Sequence, residues 1–318
     1  MFAIASRRSF LQFGLSAAAA SVVPCWALGQ TASTVHSTAA QYDPATAPVK
    51  PTRLADNVYL LQGVGGNMAL QIGPEGLLLI DASYAPAVPR IREAIAALVP
   101  TPPPTPSLLI NTHWHGDHTG GNEGMHAAGF TILAHRHTRD RLSHTQEMKL
   151  FHRTVQPSPA GALPTQVFDA TFSIFRNGDT LNLGHFDPAH TDSDIFIHFE
   201  KANVLHVADV WFNGMYPFID EGTGGNIDGM IAASKKALAL AGTDTRIIPG
   251  HGPLGTKAEL QSYCDMLASV REKVAASKKA GFSEQEALAK KPTAEFDAAW
   301  SKGMMNADTF TGIVYRTV

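Results

Sequence analysis

From residue 57 onward, short apolar runs alternate with breaks rich in glycine and proline. Asn57 to Leu61 and Met68 to Ile72 read as paired strands, with Gly63-Val64-Gly65-Gly66-Asn67 a mobile turn between them. Gly76 to Asp81 and Ser107 to Asn111 are uninterrupted enough to be buried strands. Pro86 to Val99 places Val88, Ile91, Ile95 and Leu98 on one helical face, and the proline-rich run from Pro100 to Pro106 stops it. The pattern then predicts a helix near Glu123 to Ala128, a strand from Phe130 to Ala134, a helical segment from Thr138 to His152 and a loop from Pro157 to Pro164. A second β run follows at Thr171 to Phe175, Thr180 to Leu183, Ile195 to Phe199 and Asn203 to Val207. Asn226 caps a helix reaching Leu240, and Thr245 to Ile248 is another strand. Thr256-x-x-Glu259 and Ser283-x-x-Glu286 are capping boxes that open two late helices. Two successive β-then-α halves predict an α/β protein with helices outside two central sheets, a four-layer αβ/βα sandwich. One domain is expected over 53–280, with a C-terminal helical extension over 281–318.

The first fifty residues do not join this pattern. Ser6-Arg7-Arg8-Ser9-Phe10-Leu11 is a twin-arginine pattern, followed by an alanine-rich apolar stretch from Phe13 to Val23 and a small-x-small site at Ala27-Leu28-Gly29. Residues 1–29 are therefore expected to be a twin-arginine signal peptide, and residues 30–52, rich in Ser, Thr, Ala and Pro, a linker or N-terminal arm. The expected partner of that signal is the twin-arginine export machinery. The expected location of the mature protein is the periplasm, with no attachment to the membrane.

Composition narrows the chemistry. The 318 residues are 44% hydrophobic and 17% charged, with net charge −3, which argues against a nucleic-acid binder. Fourteen histidines stand against two cysteines with no Cys-x-x-Cys pair, so any zinc site must use imidazole and carboxylate. Loss of Cys25 with the signal would leave Cys264 without an intramolecular partner. The densest ligand set is Asn111-Thr112-His113-Trp114-His115-Gly116-Asp117-His118, on a loop just after a buried strand and before a Gly-Gly break. Its spacing can serve two metal ions. His190, Asp209 and His251 each follow or separate predicted strands, and glycines on both sides of His251 leave room for close approach.

The order His113-x-His115-x-Asp117-His118, His190, Asp209, His251 resembles the metallo-β-lactamase-fold hydrolase superfamily, over roughly residues 53 to 265. The resemblance implies that His113, His115 and His190 bind a first metal, that Asp117, His118 and His251 bind a second, and that Asp209 bridges them. It also implies that Asp81 supports the site from the second rank. Two Zn2+ ions per chain suit the ligands, with Fe or Mn as alternatives. The implied activity is hydrolysis: a hydroxide shared by the metals attacks a carbonyl carbon of a small-molecule substrate such as a β-lactam, lactone or thioester, with Asp117 orienting it or moving a proton. Asp209 resembles the thioesterase, lactonase and general-hydrolase branches more than dedicated zinc β-lactamases. Two other readings stand beside this one: an iron-dependent sulfur (persulfide) dioxygenase on the same fold, and a non-catalytic periplasmic zinc-binding protein.

For the substrate pocket, Gly63 to Met68 is a candidate flexible flap. The run Trp211 to Phe218 is a candidate apolar wall, with Asn213 or Tyr216 as hydrogen-bond donors, or else core packing beneath the site. The basic segment Arg136 to His152 reads as a solvated helix face. The eight remaining internal histidines, from His126 to His206, read as structural or surface residues.

Overall fold

A computed structural model describes residues 43–318, apart from Pro100 and residues 102–105. The expected signal peptide and most of the expected linker lie outside the described residues. The first sheet is built from β1 (Lys50–Arg53), β2 (Val58–Gln62), β3 (Met68–Gln71), β4 (Leu78–Ile80), β5 (Ser107–Asn111) and β6 (Phe130–His135). A small hairpin, β7 (Gln146–Met148) and β8 (Arg153–Val155), follows before β9 (Gln166–Phe168) closes the first sheet beside β6. The second sheet runs in chain order through β10 (Thr171–Arg176), β11 (Asp179–His185), β12 (Ile195–Phe199), β13 (Val204–Phe212) and β14 (Arg246–His251). The first sheet is antiparallel from β1 to β4 and parallel from β4 to β9. The second is antiparallel until β14 joins β13 in parallel.

Alternation along the strands creates the layers. Leu60, Leu78, Ile80, Leu108 and Ile110 face Leu181, Leu183, Ile195 and Ile197 of the other sheet in one buried cluster. Their neighbours Leu61, Leu79 and Leu109 point the other way, onto Ile91 and Ile95 of α1 (Val88–Leu98). Beyond α1, the metal loop enters the short α2 (Gly116–Thr119), followed by α3 (Asn122–Ala127) and α4 (Arg136–Leu142). Leu205, Val207 and Trp211 of β13 pack outward against α5 (Ile227–Leu240) and α6 (Lys257–Lys279). A period of two on strands that bury both faces thus yields the helix–sheet–sheet–helix order. Asn226 and both capping boxes hold their helix starts with the expected hydrogen bonds.

Two expectations need correction. Residues 50–52, expected to belong to a linker or N-terminal arm, instead form an edge strand together with Arg53, which lies opposite Tyr59. The segment Thr138 to His152 is not one helix: α4 ends at Leu142, and Gln146 to Val155 pair as a hairpin that turns through His152 in the left-handed region, φ 48°. The expected C-terminal helical extension is present as α7 (Glu284–Ala289), α8 (Asp297–Trp300) and α9 (Ala307–Thr317), and it packs on the domain. Phe310, Ile313 and Val314 are fully buried in the same cluster as Trp211 and Leu260, and residues 43–318 form one compact unit.

Candidate metal centre

The site collects at strand ends on one edge of both sheets. Asp81 follows β4, the His113–His118 loop follows β5, His190 lies between β11 and β12, Asp209 lies inside β13 just after its bulge, and His251 is the last residue of β14. The sheets are tied together here, because Ile195 N–H donates to the Thr112 carbonyl at 3.0 Å. Asp209 is aimed by a bulge: the β13–β14 register shifts around Ala208, whose φ is 48°. Gly250 permits that approach, since a Cβ there would stand 1.9 Å from Asp209 Oδ1. Gly66 does the same for His118, whose ring would lie 2.1 Å from a Cβ.

The structure brings His113, His115, His190 and Asp209 into one buried group, and Asp117, His118 and His251 into another. Tautomers in the first group follow from their partners. The His190 Nδ1–H donates to the Phe218 carbonyl at 2.8 Å, so Nε2 carries a lone pair. His115 Nε2 lies 3.1 Å from Asp220 Oδ2, which leaves Nδ1 as its lone pair. The Thr112 hydroxyl gives its proton to Asp81 Oδ2 at 2.7 Å, so it accepts from His113 Nδ1 at 3.1 Å and His113 Nε2 is bare. These bare nitrogens nonetheless face one another: His115 Nδ1 stands 3.1 Å from His113 Nε2 and 2.8 Å from His190 Nε2. Three lone pairs at that range need a shared cation between them.

The second group carries the same sign. The His118 Nδ1–H donates to Asp81 at 2.7 Å, while Nε2 faces Asp209 Oδ1 at 3.1 Å. Neither of those two facing atoms has a hydrogen-bond partner, although both are buried. His251 Nε2 lies 3.2 Å from Asp117 Oδ2 and 3.3 Å from Asp209 Oδ2, which is also 3.4 Å from His190 Nε2. Asp209 therefore stands between the groups. Burial opposes charge on all of these side chains, but opposite charges outweigh it. Asp209, Asp117 and Asp81 drive His118 well above the usual imidazole range, and Asp209 and Asp117 push His251 up to about 10. Asp209 is held well below the carboxylate range by His251, His118, His190 and His113. At His190 and His113 burial outweighs the pull of Asp209: it takes His190 down to about 4 and, with the neighbouring His118, holds His113 well below its ordinary value. This all-nitrogen-and-oxygen donor set suits a divalent cation.

Around the donors lies a layer that pattern reading found only in part. Asp81 accepts from Thr112 N–H at 2.8 Å as well as from the Thr112 hydroxyl and His118. Asp220, which was not anticipated, anchors His115 and accepts from Thr223 Oγ1 at 2.8 Å. Nothing in the local sequence distinguishes it from any acidic loop residue. Asp194 braces the His190 turn by accepting from His190 N–H and Thr191 N–H, each at 2.8 Å; burial pushes its pKa up to about 7 against those bonds.

The expected flap is pinned. Gly66 N–H donates to the Asp117 carbonyl and Asn67 N–H to the Gly250 carbonyl, while the Asn67 amide reaches the Pro249 and Gly252 carbonyls. The aromatic run also differs from the expected wall. Trp211 is fully buried on the helix side of β13. Tyr216 is core too, its hydroxyl donating to Asp297 at 2.8 Å. The Asn213 amide donates to the Pro253 carbonyl at 2.9 Å, bracing the His251 loop. The rings that reach the donors are Phe212, stacked on His251 at 5.1 Å, and Phe218, 5.6 Å from His115. Strand alternation explains the exchange of Trp211 for Phe212.

A family model described as the metallo-beta-lactamase superfamily matches residues 57–251. The hydroxyacylglutathione hydrolase of Nitrosococcus oceani is 32% identical over 146 residues, covering 45% of this chain and 47% of the relative. The acyl-coenzyme A thioesterase MBLAC2 of Homo sapiens is 25% identical over 211 residues, covering 61% of this chain and 72% of the relative. The chain thus spans about half the length of the hydroxyacylglutathione hydrolases it matches. Among solved structures, a metallo-beta-lactamase from Pontibacter korlensis superposes with TM-score 0.55 at 16% identity, over 69% of this chain and 99% of that one. A double mutant of the sec-alkyl sulfatase PisA1 superposes with TM-score 0.62 at 18% identity, over 85% of this chain and 50% of that one. Those two likenesses concern the fold. With a family match that runs from β2 to His251, this chain belongs to the metallo-beta-lactamase superfamily.

Proposed function

We propose that this chain is a hydrolase with two divalent ions, zinc first among them, and that its substrate is a small carbonyl compound of the thioester class. His113, His115 and His190 hold one ion in this reading, Asp117, His118 and His251 the other, and Asp209 serves both. The observation that carries it is the set of three bare imidazole nitrogens within about 3 Å steps, with Asp209 seated between two donor groups. The chemistry such ions supply when bound is Lewis acidity, which activates water at neutral pH and polarises a carbonyl. The protein's own contribution is orientation. Asp81, Asp220, Thr112 and the Phe218 carbonyl fix the distal nitrogens, so the imidazoles need no rearrangement. Asp117 keeps 20% of its side chain exposed and is the carboxylate positioned to hold or pass a proton at the mouth. The thioester preference is supported by the names of two relatives, a hydroxyacylglutathione hydrolase and an acyl-coenzyme A thioesterase.

The test is metal analysis of the purified protein, with thioester, lactone and β-lactam substrates assayed on the same sample. About two zinc ions per chain and thioester turnover are expected. One iron per chain without hydrolysis would overturn the reading and favour thiol oxidation. Export to the periplasm is part of the proposal and rests on Arg7 and Arg8. Replacing both by lysine is expected to trap the protein in the cytoplasm on fractionation.

A further inference from the structure

Among the described residues, Tyr84, Phe151, Phe172, Phe175 and Met304 are the large apolar side chains left exposed. Phe172 and Phe175 lie on the edge strand β10. Tyr84 and Phe151 are placed differently, because both border the metal centre. A Cβ on Gly65 would stand 2.9 Å from the Asp117 carbonyl and 3.4 Å from the Tyr84 ring, so Tyr84 flanks the Asp117 side. Phe151 flanks the other side. Its ring lies 5.0 Å from Phe218, and Phe218 in turn lies 5.6 Å from His115 and 5.7 Å from His190.

The hairpin that carries Phe151 is anchored beneath it. Met148 and Leu150 are partly buried against the cluster containing Phe218 and Ile219. The Glu147 carbonyl comes within 3.0 Å of the Cβ position on Gly222, in the turn that also carries Asp220. Those contacts fix the hairpin by Met148 and Leu150, and its stability does not require an aromatic ring at 151. The ring instead prolongs apolar surface outward from the two histidines, where a substrate group beside the scissile carbonyl would lie.

The geometry points to an acyl subsite: Phe151 and Phe218 form an apolar wall that takes an alkyl chain of medium length on the acyl side of the substrate. An uncharged wall fits the acyl part when the departing thiol bears polar groups. This inference rests on the hydrolase reading, and its test separates the two. Acetyl and octanoyl thioesters of one common thiol are compared in the metal-loaded wild type, Phe151→Ala, Phe151→Leu and Phe151→Asp. Phe175→Ala on the distant edge strand is the control. The wild type is expected to favour octanoyl in kcat/KM. That octanoyl-to-acetyl ratio should fall about tenfold in Phe151→Ala, fall further in Phe151→Asp, and largely return in Phe151→Leu. It should stay put in Phe175→Ala. A ratio of about one in the wild type, or one unmoved by Phe151→Ala, would overturn the subsite while leaving the hydrolase intact. Failure of the loaded wild type to cleave either thioester would overturn the hydrolase reading, and the subsite with it.

Discussion

Among the described residues, two sets of three histidines bring ring nitrogens within 4.8 Å of one another: His113, His115 and His190, joined by Asp209, and His135, His137 and His185. In both, distal nitrogens are tied to oxygen acceptors. His135 Nε2 donates to the Asp169 carbonyl, and His137 Nδ1 and His185 Nε2 both donate to the Asp192 carbonyl. Ring orientation separates them. The rings of the first set meet edge to face at 86°, 86° and 81°, so their in-plane lone pairs converge. In the second, His135 and His185 are stacked at 3.8 Å with planes 3° apart. Lone pairs in parallel planes cannot aim at one ion. The second set also lacks a carboxylate donor, because Asp192 is engaged with Arg141 at 2.7 Å. Proximity of imidazoles is therefore a weaker sign of a metal than convergence of their edges with a carboxylate between them.

Removing one member of each set should produce the largest difference between them. His115→Ala is expected to lower metal content from about two ions per chain to one or none, and kcat/KM at least about a thousandfold. His185→Gln is expected to leave metal content unchanged and activity within about threefold. Metal analysis on the two purified variants reads both. Equal metal loss in the two would show that the stacked set also binds an ion.

Next in size are the groups that aim the imidazoles. Asp81→Ala strands Thr112 N–H, the Thr112 hydroxyl and His118 Nδ1 in a fully buried place. It should weaken metal binding about 10–100-fold, measured by competition with a chelator. Asp220→Asn keeps an acceptor for His115 but loses the charge, so about tenfold is expected. No loss in either variant would mean that the donors hold their geometry unaided.

Close approach comes third. Gly250→Ala places a methyl group against Asp209 Oδ1 at 1.9 Å, with backbone atoms of Ala208 and Asp209 at 2.7 Å. Because backbone cannot yield cheaply, the variant should lose about 1–3 kcal/mol in denaturant unfolding together with its metal. Gly129, with open space around its Cβ position but φ of 95°, is the contrasting site where only backbone strain acts.

What could be read from sequence divides along the same physical line. Strand runs such as Ser107–Asn111 and the capping boxes at Thr256 and Ser283 are local, and they appear at the expected residues. The clustering of His113, His115, Asp117 and His118 was legible because one loop carries them. Glycines beside His251 were legible as room for approach, and Gly250 fills that role. Asp220 was not legible, because its meaning comes from His115, 105 positions away. Trp211 and Tyr216 were misplaced for a related reason. An aromatic run shows how much apolar surface there is, but the face each ring takes depends on where β13 ends, and it runs on to Phe212. The hairpin at 146–155 was hidden because its pairing, Gln146 with Val155, competes with local helix propensity and wins only by docking on the core.

The smallest expected effect is a pH signature that the stacked set should carry as a purely structural group. Burial, with the neighbouring His185, pulls the His135 pKa down to about 4, and burial lowers His185 as well. Between the ordinary imidazole value near 6.5 and that depressed value, the unfolded chain binds a proton that the folded chain refuses. The stabilising contribution is thus fully present above about pH 6.5 and is lost as pH falls toward about 4, below which the loss saturates. His135→Gln keeps a donor for the Asp169 carbonyl and removes the titration. In denaturant unfolding, with both proteins stripped of metal so that ion release does not enter, the wild type should therefore lose about 1–2 kcal/mol relative to the variant as pH falls from 7 to 4. Parallel curves would show that His135 titrates alike in folded and unfolded chains. Because stacked rings exclude the proton, whereas converging rings with a carboxylate invite a cation, the same substitution in the stripped protein should leave the zinc stoichiometry regained on reloading unchanged.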